Sequence, residues 1–284
     1  MKDVVITADS TCDLPSSIIE KYNIIITPLY VVLGDKSYRD SIDVFPEDIY
    51  RYVAKTGVLP KTSAATLGYY SELFEKLTSQ GKAVVHIGLS SAISSSYQNA
   101  CICAEEYDDV YCVDSKSLCT GMGLLVLKAC DFRDKGFDAK KIYNRVCTIV
   151  PKVHTTFVLD NLEYLHKGGR CSSVARFGAN ILGIKPSIAV DPSTGTLDVA
   201  KKYRGKIEAV YKQYINDSLR GVENIDPSRI VIANSGDVSP DIIAYAKEVI
   251  KSKNVFEEVI EAKAGCTISA HCGPKTFAIF YINK

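Results

Sequence analysis

The sequence predicts an α/β protein in two joined lobes: a parallel-sheet α/β lobe over residues 1–150 and an α+β lobe over residues 151–284. Three patterns carry that expectation. Apolar strands alternate with helical stretches up to about Val150, the order that builds a parallel sheet covered by helices on both faces. Two apolar runs, 184–190 and 196–201, flank Asp191-Pro192-Ser193-Thr194-Gly195, a turn that signals antiparallel pairing. Finally, the buried strand 83–89 breaks into a hydroxyl-rich turn and a helix, and such strand ends bind anions in α/β folds because free N–H groups and the helix dipole converge there. No repeat or long linker sharpens the boundary near 150.

Residues 4–8 read as a short buried strand ending at Asp9, where a carboxylate can orient loop hydroxyls. An amphipathic helix follows through Tyr22, started by Asp13 or Ser17. The spacing of Asp9, Thr11, Asp13 and Glu20 imitates a calcium loop, but Leu14 stands where that loop needs glycine, so no metal is assigned. Residues 23–33 form a second apolar strand, 35–43 a hairpin and 46–55 a helix. The turn at 59–66 carries Thr62 and Ser63, which either cap the helix at 68–77 or face the Ser94 turn. A strand at 109–114 precedes residues 118–132, apolar all round and hence a buried helix. Within it Gly121 and Gly123 serve close packing, since the third glycine of a dinucleotide fingerprint is missing. The second half reads as a strand at 155–159, a short helix at 161–167, the basic turn Lys167-Gly168-Gly169-Arg170 and a helix at 172–182. After the hairpin come helices at 207–219 and 241–251 and strands at 229–234, 255–261 and 276–282.

Composition removes several function classes. With 34 basic and 33 acidic residues among 284 the net charge is +1, so no positive excess is available for a phosphate backbone, and nucleic acid is not an expected partner. No apolar run reaches the roughly 20 residues of a membrane span, and the N-terminus is too short and too acidic for a signal peptide; a cytoplasmic protein is expected. There the ten cysteines are small buried hydrophobes, with Cys101, Cys112, Cys130 and Cys147 on apolar faces and no Cys-x-x-Cys pair for zinc or redox chemistry. No cofactor is called for.

The hydroxyl-rich turn admits three readings. Gly88-Leu89-Ser90-Ser91-Ala92 nearly matches a nucleophile elbow, and Asp237 and His271 follow in hydrolase order, so a serine hydrolase using Ser90, Asp237 and His271 is the alternative function. Ala92 in place of the second glycine and the lack of an HGGG-type loop count against it. In the second reading Ser94, Ser96 and the N–H groups around them hold a carboxylate or phosphate without attacking it. In the third, Ser90 or Ser91 caps the helix.

Several separated motifs resemble those of the DegV family: Asp9-Ser10-Thr11-Cys12-Asp13-Leu14, Lys61-Thr62-Ser63, the run from Ser90 to Gln98, Val113-Asp114-Ser115, Leu162 through Leu165 with Gly168-Gly169-Arg170, Gly183-Ile184-Lys185-Pro186 and His271-Cys272-Gly273-Pro274. Their order and spacing span nearly the whole chain. The resemblance implies two lobes enclosing an apolar lipid tunnel for one long-chain fatty acid, its carboxylate at their interface. It further implies a fatty-acid-binding subunit of bacterial fatty acid kinase, with a separate ATP-binding kinase subunit converting the carboxylate to an acyl phosphate for phospholipid synthesis. By matching motif, Thr62, Ser94 and the Ser95 N–H hold the carboxylate, Arg170 and His271 handle the phosphate, and Arg204 docks the kinase. Four positions depart from the family pattern: Ser95 and Lys275 stand where glycine is usual, Ser96 where threonine is, and Ala65 where proline is common.

Overall fold

Alternating apolar runs close into three sheets, and one proline decides how the first half divides between two of them. The computed structural model describes residues 2–175, 183–221 and 224–284. Strand β1 (Val4–Asp9) leads through a 3-10 turn to α1 (Ser16–Lys21). The apolar run at 23–33 is two strands, β2 (Ile25–Thr27) and β3 (Tyr30–Leu33), divided at Pro28, which has no N–H to continue a ladder. β3 pairs antiparallel with β4 (Lys36–Arg39); α2 (Pro46–Thr56) intervenes before β5 (Lys61–Ser63) pairs with the other edge of β3. Thr62 is therefore a strand residue, and the helix cap expected of it falls to Thr66, whose Oγ1 accepts the Tyr69 N–H of α3 (Leu67–Thr78) at 3.3 Å. Likewise neither Asp13 nor Ser17 caps α1.

The chain continues through β6 (Ala83–Gly88), α4 (Ser96–Ala104), β7 (Val110–Asp114), α5 (Cys119–Asp134) and α6 (Ala139–Ile149). Helix α6 has no counterpart in the sequence reading; Asp138 starts it by accepting the Lys141 N–H at 2.7 Å. Strands β2, β1, β6 and β7 form, in that order, the expected parallel sheet.

Beyond residue 150 the chain runs β8 (Val153–Val158), α7 (Glu163–Gly168), α8 (Ser172–Ala175), β9 (Ile184–Val190), β10 (Leu197–Arg204), α9 (Ile207–Ser218), β11 (Ile225–Asn234), α10 (Pro240–Lys253), β12 (Glu258–Lys263), α11 (Cys266–Cys272) and β13 (Phe277–Asn283). The helix expected at 172–182 begins as α8, and residues 176–182 lie outside those described. The sheet order is β10-β9-β8-β13-β11-β12, antiparallel except for the β11–β12 pair, as an α+β arrangement requires.

Helix α5 lies between the parallel sheet and the six-stranded sheet, and eleven of its sixteen residues are buried, which is why it is apolar all round. Its glycines serve packing: a Cβ on Gly121 would lie 2.5 Å from Thr155 Oγ1, and one on Gly123 would lie 2.7 Å from the Cys12 carbonyl. At its C-terminal half Lys128 pairs with Asp226 at 2.8 Å and Asp131 with Arg229 at 2.6 Å, so charged groups rim the apolar seam. All ten cysteines are free; Cys101 and Cys147 are half-buried and the other eight buried. Among the described residues no helix is long and apolar enough to cross a membrane.

Candidate functional site

In the parallel sheet the chain winds outward from β1 in one direction to β2 and in the other to β6 and β7, so the crevice for a ligand opens beyond the C-terminal ends of β1 and β6. Two carboxylates hold the turn that lines it. Asp9, at the end of β1, is wholly buried; its Oδ2 accepts the Leu89 N–H at 2.8 Å and its Oδ1 accepts the Tyr70 hydroxyl at 2.5 Å. His86 Nε2 lies 3.3 Å from the same oxygen, and His86 Nδ1 lies 2.9 Å from Thr7 Oγ1. Asp114, at the end of β7, accepts the Ser91 hydroxyl at 2.6 Å and the Ser91 and Lys116 N–H groups at 3.1 and 3.0 Å. The turn between Gly88 and Ser96 is thus pinned on both sides.

Its serines divide the work differently from the sequence reading. Ser90 is wholly buried and donates to the Gly195 carbonyl at 2.9 Å, fastening the turn to the β9–β10 hairpin. Gly195, at a φ of +77°, packs so closely that a Cβ there would overlap Ser90 Oγ. Neither Ser90 nor Ser91 caps α4; Ser94 does that work from just outside it, its Oγ accepting the Ser96 N–H at 3.1 Å. Asp237 is exposed in the turn after β11, and among the described residues no hydrogen bond joins Ser90, Asp237 and His271. The three residues of the hydrolase alternative are therefore not assembled as a triad, because the Ser90 hydroxyl and the His271 ring serve other partners.

His271 points instead at Thr62: Nε2 and Oγ1 are 2.8 Å apart. Short helix α11 carries His271, and Asp40 anchors that helix by accepting the Cys266 and Thr267 N–H groups at 2.8 and 3.2 Å together with the Ser10 and Ser41 hydroxyls at 3.0 Å each. A Cβ on Gly168 would overlap His271 Nδ1, which explains a glycine there. Burial, with the Arg170 charge beside it, pushes the His271 imidazolium down to about 4, so the ring is neutral at physiological pH. In the tautomer protonated at Nε2, the ring donates to Thr62 Oγ1 and leaves the Thr62 O–H to donate to an anion. Arg170 is exposed in the turn after α7, its guanidinium held by the Gly168 carbonyl at 2.7 Å. Arg204 is exposed at the end of β10.

Thr62, Arg170 and His271, but not Arg204, meet at one cavity of about 330 Å³ between the two main sheets. Thr62, Ser94, Ser95, Arg170 and His271 line it, joined by Leu89 just after β6, Leu118 just before α5, Leu165 of α7 and Phe157, Ala233, Ala278 and Phe280 of the six-stranded sheet. Ser95 and Arg170 are exposed while Ala233 and Phe280 are buried, so the polar end faces solvent and the apolar end runs inward. Among the described residues no protein group accepts the Ser95 N–H, which lies at the start of α4 where an anion is favoured. Ser95 has a φ of −86°, so the position makes no demand for glycine. Lys275 does sit in the left-handed region, at +60°, while its N–H bonds the Gly236 carbonyl at 3.0 Å.

Asp40, Asn234, Ser235 and α11 were not legible beforehand as parts of this site. Asn234 and Ser235 line the cavity from the end of β11, and a helix as short as Cys266–Cys272 offers too few turns for a periodic signal. The Gly265-Cys266 step, with Asp40 far away in sequence, holds no local cap residue to announce it.

The same architecture is found in known proteins. The family described as "Uncharacterised protein, DegV family" matches residues 3–284. A DegV domain-containing protein of Clostridium acetobutylicum is 33% identical over 288 residues, covering 100% of both chains. A DegV lipid binding protein from Thermotoga maritima is similar at a TM-score of 0.82 and 26% identity, and DegV, a fatty acid binding protein from Bacillus subtilis, at 0.86 and 25%; each comparison covers 100% of both chains. Matched from residue 3 to its last residue, in fold as in sequence, the chain belongs to the DegV family.

Proposed function

We propose that this protein binds one long-chain fatty acid in the cavity between its lobes, residues 1–150 and 151–284, and presents the carboxylate to a separate kinase subunit. The observation that carries the reading is an inward-running apolar cavity whose exposed end gathers two hydroxyls, a free N–H, a neutral imidazole and a guanidinium. Its volume falls in the range of small-molecule sites. Burying about fourteen methylenes at ~0.8 kcal/mol each contributes on the order of 11 kcal/mol before ordering costs, so the polar groups need only orient the headgroup. The relatives named as lipid and fatty acid binding proteins support the ligand class.

In this reading Thr62, Ser94 and the Ser95 N–H hold the carboxylate. Its oxygen then attacks the γ-phosphorus of ATP on the kinase subunit, ADP leaves, and the acyl phosphate is carried toward phospholipid synthesis. Arg170 offers a planar fork to the incoming phosphoryl oxygens, and Arg204 docks the kinase. The test is denaturing extraction and mass spectrometry of purified protein, followed by ATP-dependent acyl phosphate assay with a kinase subunit. About one acyl chain per protein is expected. Protein that carries none and takes up no added palmitate overturns the reading.

A further inference from the structure

Away from the cavity, helix α4 packs against β7 and brings two thiols together. Cys101 and Cys112, eleven positions apart, share a side-chain hydrogen bond, and the Tyr97 hydroxyl, one turn before Cys101 on α4, bonds Cys101 as well. Both cysteines belong to the apolar cluster between α4 and the parallel sheet. The Cys101 thiol is half-buried and the Cys112 thiol buried. No local spacing announces the pair, because the packing of a helix on a strand closes it.

Burial pushes the thiols of Cys12, Cys119, Cys130, Cys266 and Cys272 up, and thiols so placed are inert. Cys101 goes the other way. The hydrogen bond from Cys112, joined by that from Tyr97, outweighs burial and holds the Cys101 thiol down to about 6, so it is a thiolate at neutral pH. The same bond, together with burial, pushes Cys112 well above an ordinary thiol, so it keeps its proton. A partly exposed thiolate beside a protonated thiol is the pairing of an attacking and a resolving cysteine.

We propose that Cys101 and Cys112 form an oxidative modification site whose co-substrate is a small hydroperoxide. The Cys101 sulfur attacks the terminal oxygen of the O–O bond, which breaks; the sulfur becomes a sulfenic acid, and the other oxygen leaves as hydroxide or alkoxide and takes up a proton. The Cys112 thiol then attacks the sulfenic sulfur. An S–S bond forms as the S–O bond breaks, and the departing hydroxide takes the Cys112 proton to give water. Two electrons pass from the two sulfurs to the peroxide, and a dithiol reductant returns them. Sulfurs already within hydrogen-bond reach need close by only ~2 Å, a movement that rotation about the Cys side chains supplies. The inference is independent of the fatty-acid reading.

The experiment treats the reduced full chain with hydrogen peroxide and maps its thiols by peptide mass spectrometry under non-reducing conditions. The expected first product is a Cys101–Cys112 disulfide, reversed by dithiothreitol. With dimedone present, Cys112→Ala, which lacks the resolving thiol, should give an adduct at Cys101, and Cys101→Ser should give none at Cys112. On untreated protein at about pH 7, iodoacetamide should label Cys101 about tenfold faster than Cys147, which is half-buried too but whose thiol burial pushes up. Wild-type protein that stays reduced, that carries Cys101 to sulfinic acid without linking Cys112, or that links another pair first overturns the inference, and none of these results needs a variant to fold. Labelling of Cys147 ahead of Cys101 also overturns it. An adduct at Cys112 in Cys101→Ser as strong as that at Cys101 in Cys112→Ala refutes the division into attacking and resolving thiols.

Discussion

Thr62 Oγ1 and His271 Nε2 are 2.8 Å apart across 209 positions of sequence. The strand that carries Thr62 and the helix that carries His271 are both short, and neither holds its residue in place alone. The β3–β5 ladder fixes Thr62, and Asp40 at the start of α11 fixes His271. The polar end of the cavity is thus set by a bond between two independently anchored elements.

The proposed function separates holding groups from reacting ones. In the proposed function Thr62 and Ser94 give their hydroxyls to the carboxylate, so Thr62→Val and Ser94→Ala should each weaken fatty-acid binding by about 1–3 kcal/mol. Arg170→Ala should leave binding largely intact and depress acyl phosphate formation, because in the proposed function its charge serves only as the phosphoryl group arrives. Affinity and ATP-dependent turnover measured on the same preparations decide this; parallel losses in Arg170→Ala would refute the division.

His271 should titrate far below an ordinary imidazole. Burial and the Arg170 charge lower it to about 4, so the neutral ring contributes stability that is fully present above the unfolded value of about 6.5 and is lost as pH falls toward 4. NMR titration of the ring should show that low midpoint. In Arg170→Gln the midpoint should rise yet stay below about 6.5, because burial remains.

Ser90 holds the hairpin rather than a substrate. Ser90→Ala leaves the Gly195 carbonyl without its donor in a closed contact and should cost about 1–3 kcal/mol of stability, read from denaturant midpoints. A fluorophosphonate probe should not label Ser90, whose side chain is wholly buried.

Asp13 should make the protein less stable as pH rises. Burial, with the Asp40 carboxylate beside it, pushes the Asp13 carboxyl up to about 8, against about 4 in the unfolded chain. Between those values the folded chain keeps a proton that the unfolded chain has lost, so stability falls across that window. Asp13→Asn should flatten the dependence and stabilise the protein by a few kcal/mol at about pH 9. Urea unfolding of both proteins at about pH 5 and about pH 9 measures it; equal slopes would discount a buried protonated Asp13.

Gly168→Ala tests how tightly the His271 ring is housed. Its Cβ would overlap Nδ1, so either the ring or the α7 end must move, and the Thr62 bond loosens. Fatty-acid affinity should fall while the melting temperature changes by only a few degrees. Unaltered affinity would show that the ring has room to shift.

The sequence by itself determined the parallel sheet, the buried helix α5, the β9–β10 hairpin and the turn after β6, because these rest on patterns local to each stretch. It also singled out Asp9, expected to orient loop hydroxyls, but the carboxylate holds the turn by the Leu89 N–H and takes its hydroxyl from Tyr70 of α3. What it left open was partnership. Ser90 and Ser94 are four residues apart and equally polar, yet one is buried against Gly195 and the other lines the cavity. Nothing local distinguishes them; the difference comes from a hairpin about a hundred residues later. Pro28 likewise sends β2 and β3 into different sheets, and only then does β5 become a strand that places Thr62 beside His271. Hydrogen-bond partners distant in sequence are fixed by which surfaces meet when the sheets pack on α5, and that meeting is a property of the assembled core.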